Sequence, residues 1–493
     1  MRHVLLTAGL LLGPAVAAAQ QAPQTPAALS LADAIAIARD QNPAYRQALN
    51  NRGPAAWGVR NAFTSLFIPS VTTAAGMTYT GPGSQTFLSS SFSQSVSTVS
   101  SFYDLSLSWQ LSGTTLSQPG LAKAQQHAVD EDIAGAANAL VTGITQQYLT
   151  VLQARDQAEV ARRMVARNEE FLKLAQARYG VGQATLIDVR QAQVARGQAE
   201  VALLRAETAV SVEKLRLFEN MGVVPPIDIK AVQLTDTFAL QTPAWQLTEL
   251  LTMAEEQNPA LKALRARERA AVWGVRAATS TYGPSVSLSA GWSGFTQQFT
   301  DVDPIIANQQ TAFGAQKTAC DDDNVIRSNN GLSTRDCSGF VWGAANEQAV
   351  RDANSVFPFD FTRQPFQARL SISLPIFTNF SRTQRISEAR AQHGDLEEAV
   401  RARGLAVHTE VSQAFLTLQT AFRTTGLQDT NRTAAREQLQ LATERYRVGS
   451  GTFFELLDAQ VASLRAESDY VNAIYDYHKA VSALEAAVGR SLR

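Results

Sequence analysis

The sequence predicts an α+β membrane protein of two internal repeats. Four strands per protomer enter a shared transmembrane β-barrel, and very long helices run on from it as antiparallel coiled-coil hairpins. Three observations carry that prediction: a chain written twice, four alternating strands of about ten residues, and two helical runs too long for a compact globule.

The duplication sets the organisation. Gln41-Asn42-Pro43 recurs as Gln257-Asn258-Pro259 and Trp57-Gly58-Val59-Arg60 as Trp273-Gly274-Val275-Arg276, both at an offset of 216. Arg178-Tyr179 and Val181-Gly182 match Arg445-Tyr446 and Val448-Gly449, while Gln193 and Gly222 match Gln460 and Gly489, all at an offset of 267. The extra residues of the second copy fall between Arg276 and Arg445, where both cysteines lie. Repeat one therefore spans 20–222, a connection containing Pro225-Pro226 spans 223–244, and repeat two spans 245–493.

Residues 1–19 read as a secretory signal peptide: a basic start at Arg2, an apolar run from Val4 to Val16, and Ala17-Ala18-Ala19 as the cleavage signal. The run is too short to span a bilayer. No cysteine adjoins the cleavage site, so a non-lipidated mature N-terminus is expected. Cys320 and Cys337, in an oxidising compartment, are expected to form one disulfide across a polar loop. Asp321-Asp322-Asp323 beside them lacks a full calcium-ligand spacing and reads as a solvated acidic loop.

Each repeat has the same internal order. A helical stretch is broken at Asn42-Pro43, where Asn caps and Pro suits the first turn. A strand hairpin follows at about 70–112, with stripes Val71-Thr73-Ala75-Met77-Tyr79 and Tyr103-Leu105-Leu107-Trp109-Leu111. Its counterpart spans about 284–377, with Val286-Leu288-Ala290-Trp292 and Phe366-Ala368-Leu370-Ile372-Leu374-Ile376 flanking a long disulfide-bearing loop. Long helices are predicted at about 116–179 and 382–446, each roughly 95–100 Å. Tip turns at 180–184 and 447–451 contain Gly180, Gly182, Gly449 and Gly451, and return helices run 185–222 and 452–489. In the last, Val471, Ile474, Val481, Leu484 and Val488 mark a coiled-coil seam.

Four strands cannot close a barrel, and an open edge in lipid leaves backbone groups unpaired, so several protomers must share one barrel. A periplasmic helical-hairpin scaffold or adaptor without membrane strands is the alternative. A net charge of −1 gives no reason to expect nucleic acid. The five scattered histidines form no HExxH, and no GxSxG, P-loop or GxGxxG is present, so no catalytic, metal or cofactor site is expected.

The order of helix, hairpin, long helix, turn and helix, written twice, carries a further signal. With Arg178-Tyr179-Gly180-Val181-Gly182-Gln183-Ala184-Thr185 and Arg445-Tyr446-Arg447-Val448-Gly449-Ser450-Gly451-Thr452, the chain resembles the TolC family of outer-membrane efflux and secretion channels. That resemblance implies a homotrimer in outer-membrane lipid whose β-barrel continues into a long α-helical coiled-coil barrel in the periplasm, working with a periplasmic adaptor (membrane fusion protein) and an inner-membrane pump of RND or ABC type. It also implies a tip gate, with Glu455 and Asp458 as rings of carboxylates. From the residues alone, Thr185 with Asp188 and Thr452 with Glu455 fit capping boxes, whereas Asp458 has no cap to serve. By resemblance, Tyr446 and Asp188 match two members of a tether between the repeats; the third, an arginine, corresponds to Gly451. Arg447 is either its substitute or a solvated arginine.

Overall fold

The computed structural model describes residues 28–87, 90–94 and 96–492; the expected signal peptide lies outside them. In chain order the elements of the first repeat are β1 (Ala28–Leu29), α1 (Leu31–Gln41), α2 (Pro43–Asn50), α3 (Arg52–Phe67), β2 (Ser70–Thr80), β3 (Gly83–Phe87), β4 (Ser90–Gln94), β5 (Thr98–Leu111), α4 (Gly113–Gly180) and α5 (Leu186–Met221). A 3-10 turn at Ile229–Ala231 and β6 (Gln233–Leu234) belong to the connection. Then come α6 (Leu247–Gln257), α7 (Pro259–Ser280), β7 (Ser285–Phe299), α8 (Asp303–Asn329), α9 (Ala344–Ala353), β8 (Thr362–Arg363), β9 (Gln367–Ser373), α10 (Ser381–Val448) and α11 (Phe453–Val488). No helix among the described residues is long and apolar enough to cross a membrane.

The chain divides into two compact units. One, Trp57–Lys123 with Arg269–Gly394, holds the sheet. Its strand order is β2-β5-β7-β8, with β9 also on the outer side of β7, and the long pairings are antiparallel. Leu105 opposes Trp292 and Leu107 opposes Ala290, while Val286 and Leu288 oppose Ile372 and Leu370, so the apolar stripes share one face. Hydroxyls fill the other face: Ser70 with Ser108 at 2.7 Å, Thr72 with Ser106 at 2.9 Å and Ser287 with Ser371 at 2.7 Å. Strand alternation sorts the two sets, and toward one end the segment ahead of β9 covers the stripe face, with Phe361 against Tyr103 at 4.9 Å and Ser101 donating to Pro358 O at 2.6 Å.

Two differences from the sequence reading arise in this unit. The segment between β7 and β9, expected as a polar loop, contains the 27-residue α8, and Asp321–Asp323 lie within it. Pro304 occupies its first turn, an Ala- and Gln-containing run follows, and Lys317 pairs with Asp321 one turn on at 2.7 Å, all of which favour helix. Cys320 and Cys337 are bonded, with Cα atoms 6.0 Å apart. The stripe expected to reach Ile376 ends as β9 at Ser373, because Pro375 has no N–H for the ladder.

The helical unit comprises the remaining described residues, and the duplicated motifs explain its packing. Asn42 caps α2 by accepting from Tyr45 N at 3.0 Å and donates to Asn220 O at 2.8 Å. Asn258 repeats both bonds, from Leu261 N at 3.2 Å and to Ala487 O at 3.1 Å. Beside them Gly222 and Gly489 close α5 and α11 at φ of 78° and 89°, where a Cβ would meet Gln41 O at 2.6 Å and Gln257 O at 2.9 Å. The repeated Gln-Asn-Pro and the repeated glycine are thus two halves of one contact. One core gathers Leu29, Ile144, Tyr148 and Phe218; its counterpart gathers Leu250, Val411, Leu418 and Leu484. The Tyr148 hydroxyl donates to Leu29 O and bonds the Asp236 carboxylate.

One buried charge ties the repeats. Glu467 on α11 is 3% exposed and meets Arg167 of α4 at 3.1 Å, Arg436 of α10 at 3.2 Å and Arg163 of α4 at 3.5 Å. Burial alone would raise its carboxyl, but Arg167 and Arg436 more than reverse that and hold it below its ordinary value.

Candidate gate at the hairpin tips

Both tips solve the same problem, turning a helix back on itself within a few residues. After α4, Gly182 adopts φ of 76°, and the N–H of Gln183 donates to Arg178 O at 2.8 Å. After α10, Gly449 adopts φ of 85°, and Ser450 and Gly451 donate to Arg445 O at 2.9 and 3.1 Å. A left-handed residue at each turn satisfies carbonyls that the helix end would leave bare. Arg178 and Arg445 staple their own turns by donating to Gln183 O at 3.0 Å and Ser450 O at 3.4 Å.

The caps differ. Thr185 accepts from Asp188 N at 3.2 Å, and the Asp188 carboxylate accepts from Thr185 N at 2.8 Å, a complete capping box. Thr452 accepts from Glu455 N at 3.2 Å, but Glu455 does not return the bond. The second box, expected from sequence, is only half formed, because the Glu455 carboxylate lies 3.8 Å from Arg445 instead. The side chain of Glu455 is 49% exposed. Asp458, one turn on, is also exposed and has no hydrogen bond or ion pair among the described residues.

A small core joins the tips: Phe171 and Ala175 of α4, Val189 of α5, Tyr446 of α10, and Phe453 and Leu456 of α11. Tyr446 is 3% exposed, and its ring sits edge-on to Phe453 with centroids 5.5 Å apart. Burial raises its phenol above the ordinary value; the Asp188 carboxylate raises it further, and the Arg178 guanidinium partly offsets both. Tyr446 and Asp188 are therefore near enough to feel each other, yet the hydroxyl has no hydrogen-bond partner among the described residues. The bond between repeats comes from Arg178, which donates to Tyr446 O and places its guanidinium carbon 4.6 Å above the Tyr446 ring.

Arg178 makes the contact between repeats that the sequence did not reveal. It was visible only as the duplicate of Arg445, and nothing contiguous with it reveals a carbonyl 268 residues away. Arg447 pairs locally with Glu444 at 3.4 Å, both groups more than half exposed, and Gly451 leaves its place open. A Cβ at Gly449 would lie 3.3 Å from the Arg178 guanidinium, so the left-handed glycine also makes room for the crossing arginine.

Residues 34–223 and 343–490 match the family model described as outer membrane efflux protein. In three dimensions the chain is similar to VceC of Vibrio cholerae, at 18% identity and a TM-score of 0.67, over 94% of this chain and 97% of that one. The CmeC outer membrane channel of Campylobacter jejuni matches at 15% identity and 0.67, over 93% and 85%. The open state of the MtrE outer membrane channel of Neisseria gonorrhoeae matches at 19% and 0.66, over 94% and 89%. The family match favours a channel over a helical-hairpin scaffold. With two thirds of the sequence inside that match and the two-repeat fold shared with solved channels, the chain belongs to the outer membrane efflux protein family.

Proposed function

We propose that three copies of this chain assemble into the exit duct of a tripartite efflux pump, a passive conduit through the outer membrane gated at its periplasmic tips. One observation carries the assembly: a sheet with an apolar face, a hydroxyl-lined face and strands left open at both edges. In lipid those edges need partners, and neighbouring copies supply them, with the apolar face toward lipid and the hydroxyl face toward water. Exposed apolar side chains support the same packing along the helices. Ile187, Val194 and Val201 recur every seventh residue on α5, and Leu416, Leu427 and Leu441 line α10. A contact of one copy's α5 with the next copy's α10 is head-to-tail and closes into a ring.

Glu455 and Asp458 serve as the gate. Threefold repetition turns each exposed carboxylate into a ring that attracts cations and narrows the entrance. Arg178, through the Tyr446 carbonyl and ring, holds the two hairpins of each copy together. A periplasmic adaptor and an inner-membrane pump of RND or ABC type supply cargo and energy. Carbonate extraction followed by cross-linking tests the assembly: the protein stays with outer-membrane lipid and the ladder ends at three chains. Release into the wash, or a ladder ending at two, contradicts it.

A further inference from the structure

The hydroxyl face of the sheet has one level at which two aromatic residues face each other across adjacent strands. On β5 the residues of that face run Thr98, Ser100, Phe102, Asp104, Ser106 and Ser108, and the register partner of Phe102 on β7 is Phe295. Facing partners on adjacent strands hold their Cβ atoms about 5 Å apart, so the two phenyl groups leave the wall at the same level. They are 45% and 44% exposed, although the pattern around them is serine and threonine. On the other side, the partner of Phe102 on β2 is Gly76, and a Cβ there would fall 2.6 Å from the Phe102 ring. The missing side chain lets the ring lie across β2, so aromatic surface covers three neighbouring strands at a single level.

Charge does not account for this level. Asp104 and Arg369 are the charged residues of β2, β5, β7 and β9, they share the hydroxyl face, and their signs cancel. What distinguishes the level is exposed π surface in a wall otherwise able to hydrogen-bond water. Such surface takes up apolar and aromatic bodies and the faces of organic cations, and gives nothing to a small hydrated ion.

We infer that Phe102 and Phe295 form an aromatic band in the lumen wall, six rings in a closed trimer, that binds organic solutes with an apolar or aromatic body as they leave. The inference rests on the hydroxyl face lining the lumen. It names residues that select among cargo, distinct from the carboxylates of the tips.

The test compares two cations of equal charge and different body, tetraphenylphosphonium and tetramethylammonium, as blockers of potassium chloride conductance through the full-length protein in planar bilayers. Tetraphenylphosphonium should block the wild type at roughly tenfold lower concentration than F102S/F295S, the combined effect of losing two rings. Tetramethylammonium should block both alike. F102L/F295L keeps the bulk and lies between, and it carries the comparison if the serine variant fails to assemble. Equal tetraphenylphosphonium block in wild type and variants overturns the band and leaves the channel standing. A wild type that conducts nothing overturns the channel reading and the band with it.

Discussion

At the first tip the Asp188 carboxylate closes a capping box with Thr185; at the second, Glu455 holds the same cap position, but its carboxylate leans toward Arg445 and Asp458 stands exposed one turn on. The two turns share their glycines, their threonine caps and their stapling arginines. They differ in what their acids do. An acid held in a cap contributes to a helix end, whereas an acid left in water contributes field. Duplication gave the protein one turn twice, and divergence left the second copy's carboxylates outside a closed capping box, as the proposed entrance rings require. The arginines diverge too: Arg178 crosses to the other repeat, while Arg445 stays on its own.

The largest effect expected is at the tie that both hairpins share. Glu467→Gln leaves three arginines around a neutral group and should cost about 3–5 kcal/mol, the range for breaking a buried ion pair. Thermal unfolding followed by circular dichroism measures it. Because the folded carboxyl sits below its ordinary 4.5, the stabilisation is complete above that value and is lost as pH falls through the folded one. The gap between wild type and E467Q should therefore shrink in acid; a gap constant down to strong acid contradicts the assignment.

Next in size is the arginine asymmetry. Arg178→Ala removes a charged hydrogen bond between repeats and should cost about 1.5–3 kcal/mol, and it should raise resting conductance. Arg445→Ala removes a long contact to its own turn and an exposed ion pair, and should cost under about 1 kcal/mol. Equal losses would erase the distinction between the tips. Smallest is the cap comparison: Thr185→Ala and Thr452→Ala each remove one hydroxyl acceptor and should cost about 1 kcal/mol apiece, whereas Asp188→Ala, which removes the second bond of the closed box, should cost more than Glu455→Ala. A loss at Glu455 equal to that at Asp188 would mean that Glu455 closes its box in solution.

Much of this was legible in the chain because it is written in neighbouring residues. Caps, glycine turns and strand alternation depend on spacings of two to four, and the Gln-Asn-Pro and glycine pairs announced themselves by recurring. Other features were not legible. Whether Glu455 closes its box depends on where Arg445 points, and the reach of Arg178 depends on how helices from distant parts of the chain pack. The helix inside the disulfide-bearing segment was hidden by its acidic and polar composition, which reads as loop until Lys317 and Asp321 are seen to share a face. The aromatic level on the hydroxyl face needed the register of β5 against β7.

In the proposed gate the exposed acids of the second tip, and not the capped acid of the first, face the permeating ions. Single-channel reversal potentials in a potassium chloride gradient test it directly. The double substitution Glu455→Gln with Asp458→Asn should sharply reduce cation preference, while Asp188→Asn should leave it near the wild-type value. Unchanged selectivity in the double variant, or an equal loss on replacing Asp188, would rule out Glu455 and Asp458 as the gate.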